Sequence, residues 1–220
     1  METKSLTSIL DTFFDRHKLV RFKRGQVLIR PSDELKSILY LKTGLVKMYA
    51  LSEDGDEITL HLFMPPSFFP IMMALLGKND NAYYYEAIED SEGRLAPKEE
   101  VLQWLKTQPD VVLDLSVKFS AAIMGLLTRI EGMAFQGAYP KMISLLLYMA
   151  EKFGKNQESG VIIKLQINHQ EIASWLGIRR ETASRQLERL QKEELLIIKD
   201  QHFFIPSIQK LKDVINITAE

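Results

Sequence analysis

One short stretch of this 220-residue chain carries side chains of the types and spacing needed to read a nucleic acid. Residues 168–192 run NHQEIASWLGIRRETASRQLERLQK. An arginine guanidinium holds guanine O6 and N7 through two hydrogen bonds, and a glutamate accepts from the cytosine amino group. Arg180, Glu181 and Arg185 are the right types for both contacts. With Arg179, Arg189 and Lys192 the second half of the segment, 178–192, sets five cations against two carboxylates. The blander reading is a surface helix with a solvated, mixed-charge face.

The elements that must position these residues read as two helices joined by a tight turn. Asn168 is placed to cap the first, and Glu171, three residues on, completes a capping box. Ile172, Ala173 and Leu176 fall on one helical face. Gly177 ends the helix, since glycine alone takes a left-handed backbone cheaply. Ile178 restarts the apolar pattern, which Ala183, Leu187 and Leu190 continue. This is the grammar of a helix-turn-helix, whose second helix enters the major groove. Downstream, 195–198 (LLII) and 203–205 (FFI) read as strands about a turn at 200–202, closed by Pro206. A hairpin there is a wing. Ser207 then caps a last amphipathic helix with Ile208, Leu211, Val214 and Ile215 inside.

The length suits two modest domains. A hydrophobic content of 46% and a charged content of 26% are ordinary for a globular protein. Cysteine is absent, which excludes disulfides, cysteine-ligated iron–sulfur clusters, Cys₄ zinc sites and thiol switches. The net charge of −1 puts any DNA affinity in a local patch. No uninterrupted apolar run reaches the ~20 residues of a membrane helix, and METKSLTSILDTFF lacks the order of a signal peptide. A cytoplasmic protein without membrane contact is expected.

Along the chain, residues 4 to about 18 read as a short amphipathic helix with Leu6, Ile9, Leu10 and Phe13 on one side. From Leu19 to about Pro97, apolar runs alternate with turns at 24–26 (RGQ), 42–44 (KTG) and 53–56 (EDGD), the texture of an all-β sandwich or jelly roll. The 53–56 turn lacks the later ligands of a calcium loop. A short helix is expected at 98–106. A long helix follows from Asp110 to about Gly137, whose Val112, Leu115, Phe119, Ala122, Ile123, Leu126, Ile130 and Met133 step by three or four. That pattern serves either a helix packed on its own β-domain or a dimer seam; two-fold DNA reading favours the seam. Phe135 to Pro140 reads as a hinge, 141–153 as a helix, 154–160 as a polar loop and 161–166 as a strand.

This order resembles the cyclic-AMP receptor protein and fumarate–nitrate regulator (CRP/FNR) family of bacterial transcription regulators over nearly the whole chain. It is most specific at 170–196, QEIASWLGIRRETASRQLERLQKEELL. The resemblance implies an α+β fold: an N-terminal β-roll (double-stranded β-helix, cyclic-nucleotide-binding-like) over 1–108, a central dimerisation helix over 109–137, and a C-terminal winged helix-turn-helix over 138–220. It implies base contacts by Arg180, Glu181 and Arg185 and a phosphate contact by Thr182, with a TGTGA-like half-site. Arg179, where cyclic-AMP-binding members have a small capping residue, and Arg189 are expected on or near phosphates.

The effector side departs from the family. Cyclic-AMP-binding members hold ribose and phosphate with a Gly-Glu and an Arg-Ser pair. Here Phe69, Pro70 and Ile71 stand in place of the glutamate, and 81–84 (NAYY) in place of Arg-Ser. A buried phosphate needs a cation or several N–H donors. Leu126 and Leu127 replace hydroxyl side chains that face the base. Cyclic AMP is therefore not the expected effector, nor is the cysteine-ligated cluster of the oxygen-sensing branch. An effector, where one exists, is expected to be a largely apolar small molecule. His61 in its apolar strand reads as structural, and His17, His169 and His202 suggest no metal site. No cofactor and no catalysis are expected. The reading is a homodimeric, sequence-specific transcription regulator on palindromic double-stranded DNA, with RNA polymerase as partner where it activates. The alternative is a ligand- or cyclic-nucleotide-binding sensor with a weak or vestigial DNA-binding domain.

Overall fold

The segment 37–41 (SILYL) sends side chains to two faces in turn, and both faces are buried: Ile38, Leu39, Tyr40 and Leu41 are each at most 3% exposed. A strand buried on both sides implies a layer on each side, and the computed structural model, which describes residues 6–199 and 202–218, supplies both. The first part of the chain runs α1 (Leu6–Phe14), β1 (Lys18–Phe22), β2 (Val27–Ile29), β3 (Ser37–Thr43), β4 (Val46–Leu51), β5 (Glu57–Phe63), β6 (Ser67–Phe69), α2 (Ile71–Leu75), β7 (Tyr84–Ala87), β8 (Ser91–Pro97) and α3 (Lys98–Leu105). The strands form two four-stranded sheets, ordered β1-β8-β3-β6 and β2-β7-β4-β5. Leu39, Leu41 and Phe69 from the first meet Val46 and Tyr85 from the second in one apolar cluster. Ile38 and Tyr40 face the other way, among Phe13 and Phe14 of α1 and Val101 and Leu105 of α3. There Phe13 stacks on Trp104 at 4.2 Å and Phe14 on Tyr40 at 4.7 Å between ring centroids.

The turns expected at 24–26, 42–44 and 53–56 are present, each with its glycine at positive φ. Gly44 has a second reason to be glycine. An added Cβ would lie 2.6 Å from the Asp90 carbonyl oxygen, closer than any packing allows. The 53–56 segment is a hairpin turn in which the Gly55 N–H donates to the Ser52 carbonyl at 3.0 Å.

α4 (Pro109–Phe135) follows; its residues to Ile123 belong to the first compact unit and those from Met124 to the second, which also takes in Asp56–Ile58. By length and composition the helix is apolar enough to cross a membrane, with 11% of the relevant window buried. It nevertheless contains no uninterrupted apolar run of membrane-spanning length. Charges at Asp110, Asp114, Lys118, Arg129 and Glu131 break every uninterrupted run but leave the helix average apolar.

The rest of the chain runs α5 (Ala138–Phe153), β9 (Gly154–Gln157), β10 (Gly160–Ile163), α6 (His169–Leu176), α7 (Arg180–Lys192), β11 (Ile197–Lys199), β12 (His202–Ile205) and α8 (Ile208–Thr218). The hinge expected at 135–140 is only the two residues between α4 and α5. The polar loop expected at 154–160 is instead a strand, β9, whose Lys155 and Asn156 pair with Ile162 and Val161 of β10. GKNQ carries no alternation of its own, so its pairing is imposed by the partner strand. These strands form a sheet ordered β11-β12-β10-β9. The Ser207 hydroxyl accepts from the Lys210 N–H at 3.2 Å, as a cap of α8 should. The expected turn at 200–202 falls largely on 200–201, outside the described residues.

Phe14→Ala is expected to destabilise the protein by about 3–5 kcal/mol in denaturant titration, because its fully buried ring touches several rings at once. Asp15 is held below its ordinary pKa of 3.8 by its hydrogen bond from Lys42, with Arg94 adding to the effect. A depressed carboxylate stabilises above its unfolded pKa and ceases to as pH falls through the folded one. Asp15→Asn should therefore destabilise at pH 7, and the difference from the parent should vanish as pH drops below 3.8.

Candidate nucleic-acid interface

The interface is built on α7, whose orientation follows from what it buries. Ala183, Leu187 and Leu190 are fully buried, each 0% exposed. They pack in a domain whose other apolar residues come from α5 (Met142, Leu146, Met149) and α6 (Ile172, Ala173, Leu176). At about 100° per residue, the face opposite Ala183, Leu187 and Leu190 carries Glu181, Arg185, Glu188 and Lys192, all exposed. Thr182 and Arg189 lie on one flank of that face, whereas Arg180, about 50° from the buried stripe, is exposed as the first residue of the helix.

The helix before it is set by local chemistry. The Asn168 side chain accepts from the Glu171 N–H at 2.9 Å, and Glu171 accepts from the Asn168 N–H at 2.7 Å. This is the reciprocal capping box expected of the pair. Gly177 closes α6 with φ 62°, and the Ile178 N–H returns to the Ala173 carbonyl at 3.1 Å. A hydrogen bond of 2.9 Å joins His169 Nδ1 at the start of α6 to Ser184 Oγ on α7. Nothing in the sequence pattern marked that bond.

Arg179 is the N-cap residue of α7 and makes no side-chain cap bond. The orphan amides of the first turn are thus not taken by a cap, and with the helix dipole they suit an anion. Arg179, Arg180, Glu181 and Arg185 are all exposed, and Thr182 is half-buried. A surface of this kind can offer guanidinium and carboxylate groups to base edges and amides to a phosphate. Arg189 differs. Its Nε donates to Glu193 Oε1 at 2.8 Å, and its guanidinium carbon lies 3.7 Å from the centre of the Tyr139 ring. The Tyr139 hydroxyl donates to the other oxygen of Glu193. These contacts hold the Glu193 carboxyl below its ordinary pKa, the Tyr139 bond first and Arg189 second.

The expected seam residues of α4 divide. Val112, Ile123, Leu126, Ile130 and Met133 are 42–60% exposed. Leu115 is buried in the core of the first unit, Phe119 packs against it, and Ala122 is half-buried. Leu113, Val117, Met124 and Leu127, which the heptad count passed over, are 47–66% exposed. Exposed apolar surface of this extent is a feature of interaction sites.

In the β-domain, the residues standing where a cyclic nucleotide would be held are used for structure. Phe69, Pro70 and Ile71 are buried. Asn81 is 4% exposed and its amide donates to the carbonyls of Arg30 and Tyr83. The buried cation Lys47, which sequence reading missed, lies 3.5 Å from Glu86 and over the Tyr49 ring. His61 is exposed on β5 and stands edge-on to Phe63, ring centroids 4.7 Å apart, and partial desolvation lowers its pKa.

Comparison with known proteins gives a consistent picture. Residues 19–108 match the cyclic nucleotide-binding domain, and residues 140–214 match the Crp-like helix-turn-helix domain. The chain is 31% identical over 178 residues to the global nitrogen regulator of Nostoc sp., covering 80% of each chain. It is also 31% identical over 179 residues to the transcriptional regulator SdrP of Thermus thermophilus, covering 79% of this chain and 82% of that one. Its fold matches a CooA mutant from Carboxydothermus hydrogenoformans with a TM-score of 0.79 at 22% identity, covering 98% of this chain and 97% of that one.

Asn168→Ala should cost about 1 kcal/mol by removing one arm of the capping box. Gly177→Ala should cost about 1–2 kcal/mol by forcing a Cβ into the left-handed region. Thermal unfolding of the two variants against the parent measures both.

Proposed function

This chain belongs to the CRP/FNR family of transcription regulators, and from that premise we propose how it reads DNA and what it does not sense. It is a DNA-binding regulator of that type, and matches across both domains favour this over a sensor with a vestigial DNA-binding domain. In the proposed complex, α7 enters the major groove with Arg180, Glu181 and Arg185 on base edges. Arg179 and Thr182 lie on phosphates. The observation that carries this reading is the complete burial of Ala183, Leu187 and Leu190, which turns the opposite, charged face outward.

The active species is proposed to be a cytoplasmic homodimer that acts by binding rather than catalysis. Its supporting observation is the exposed apolar surface of α4, from Val112 and Leu113 to Ile130 and Met133. A second copy of α4 laid along it would bury the apolar groups and set two recognition helices about 34 Å apart, one turn of DNA. A palindrome with TGTGA-like arms follows as its site, and RNA polymerase as its partner where it activates. Cyclic AMP is proposed not to be the effector, because the position expected of a phosphate-binding arginine is held by Asn81 and its neighbours. Any effector would act by shifting the population of DNA-competent dimers.

Selection of random duplexes by the purified protein should enrich a palindrome; a folded protein that enriches nothing, with or without candidate ligands, would refute the reading. On the selected site, Arg180→Ala should lose about 1–3 kcal/mol at one base pair and relax specificity there. Saturating cyclic AMP should leave both the melting temperature and operator affinity unchanged; a rise in melting temperature with added nucleotide would overturn that assignment.

A further inference from the structure

We propose that Arg189 is a positioning residue of the recognition helix, acting through Glu193 and Tyr139, and not a phosphate contact. The proposal rests on the reading above that α7 enters the groove, and it reassigns a cation of that helix whose charge is already engaged.

Three observations carry it. First, the Arg189 guanidinium is held on two sides: Nε donates to Glu193 at 2.8 Å, and its plane lies over the Tyr139 ring at 3.7 Å. Second, Tyr139 binds the same carboxylate from the other side, and its side chain is only 6% exposed. The three groups therefore form one connected unit, in which an exposed ion pair, its side chains 54% and 38% exposed, is tied to a buried ring. Third, the unit joins distant pieces of chain. Tyr139 lies in the first turn of α5, four residues beyond Phe135, where α4 ends. Arg189 is in the last turn of α7, and Glu193 is that helix's C-cap residue.

The chemistry argues against a phosphate role. A phosphate approaching Arg189 meets the Glu193 carboxylate beside it, and the pair is neutral together. Affinity from phosphate contacts comes from releasing counterions that a free cation displaces; a neutralised cation releases none. What the unit does instead is fix the C-terminal end of α7 to the beginning of α5. The bond between His169 and Ser184 fixes the middle of α7 to α6. Two polar ties at different heights restrict rotation of α7 about its own axis, which buried Ala183, Leu187 and Leu190 alone restrict less sharply. Since α5 follows α4 after two residues, the Tyr139 tie also joins the recognition helix to a point close in sequence to the end of α4.

The test compares Arg189→Ala, Tyr139→Phe, Glu193→Gln and the double variant Tyr139→Phe/Arg189→Ala on the operator recovered by selection and on a scrambled duplex, across a salt series. Arg179→Ala serves as the phosphate-contact control. Positioning predicts that Arg189→Ala weakens operator binding about tenfold and scrambled-duplex binding little, with the salt slope unchanged. Tyr139→Phe, which removes one oxygen and leaves the ring, should weaken operator binding about threefold, and the double variant should be no worse than Arg189→Ala. A drop of about 0.9 in the salt slope of Arg189→Ala, or equal losses on both duplexes, would overturn the proposal. So would parental selectivity in Tyr139→Phe. These failures differ from failure of the DNA reading itself, in which Arg179→Ala and Arg180→Ala would also leave operator binding unchanged.

Discussion

Burial of one apolar stripe on α7 is the constraint from which the rest of the DNA-binding unit follows. Ala183, Leu187 and Leu190 are fully enclosed, and at about 25 cal/mol per Å² such burial outweighs any preference of the surface charges. Once that stripe faces inward, helix geometry sends Glu181, Arg185 and Lys192 outward and leaves no other orientation. Side chains with little individual contribution to stability are thereby aimed by side chains with no role in recognition. The capping box of Asn168 and Glu171 and the left-handed Gly177 serve the same end, because they fix where α6 stops and α7 starts.

The first unit applies the same principle in two layers. Strand β3 is buried on both faces, one against the second sheet and one against α1 and α3. In the same unit the residues at 69–71 and 81 serve packing and loop structure. Phe69 is part of the core between the sheets, and Asn81 uses its amide to tie a loop by two carbonyls. Changing either to a ligand-binding residue would disturb packing.

Helix α4 poses the opposite problem. Its first turns are anchored, with Val111 and Leu115 in the core, yet farther on Ile123, Met124 and Ile130 are 57–62% exposed. One face of the helix is thus satisfied within the chain, and another is not. The same unsatisfied face makes the helix hydrophobic enough to resemble a membrane span. The helix thus buries one side of its first turns against its own domain and leaves another side exposed.

Features set by neighbours along the chain were legible in the sequence. The capping box, the Gly177 stop, the Ser207 cap, the hairpin glycines and the extent of α4 each depend on residues within a few positions, so type and spacing determine them. The exposure of Glu181 and Arg185 was legible too, because they are the complement of an apolar period, and that of Arg180 because it begins the helix. The tertiary structure alone decided what depends on distant partners. The GKNQ segment became strand β9 only because Gly160–Ile163 lies beside it. Leu115 went to the core and Leu113 to the surface because the β-domain covers one side of α4, which a heptad count does not see. Arg189 and Glu193 form an i, i+4 pair readable from sequence, but the ring that completes their unit belongs to Tyr139, 54 positions from Glu193. Local spacing determines which side chains share a face; only the packing of remote segments determines which of those side chains is still free to bind.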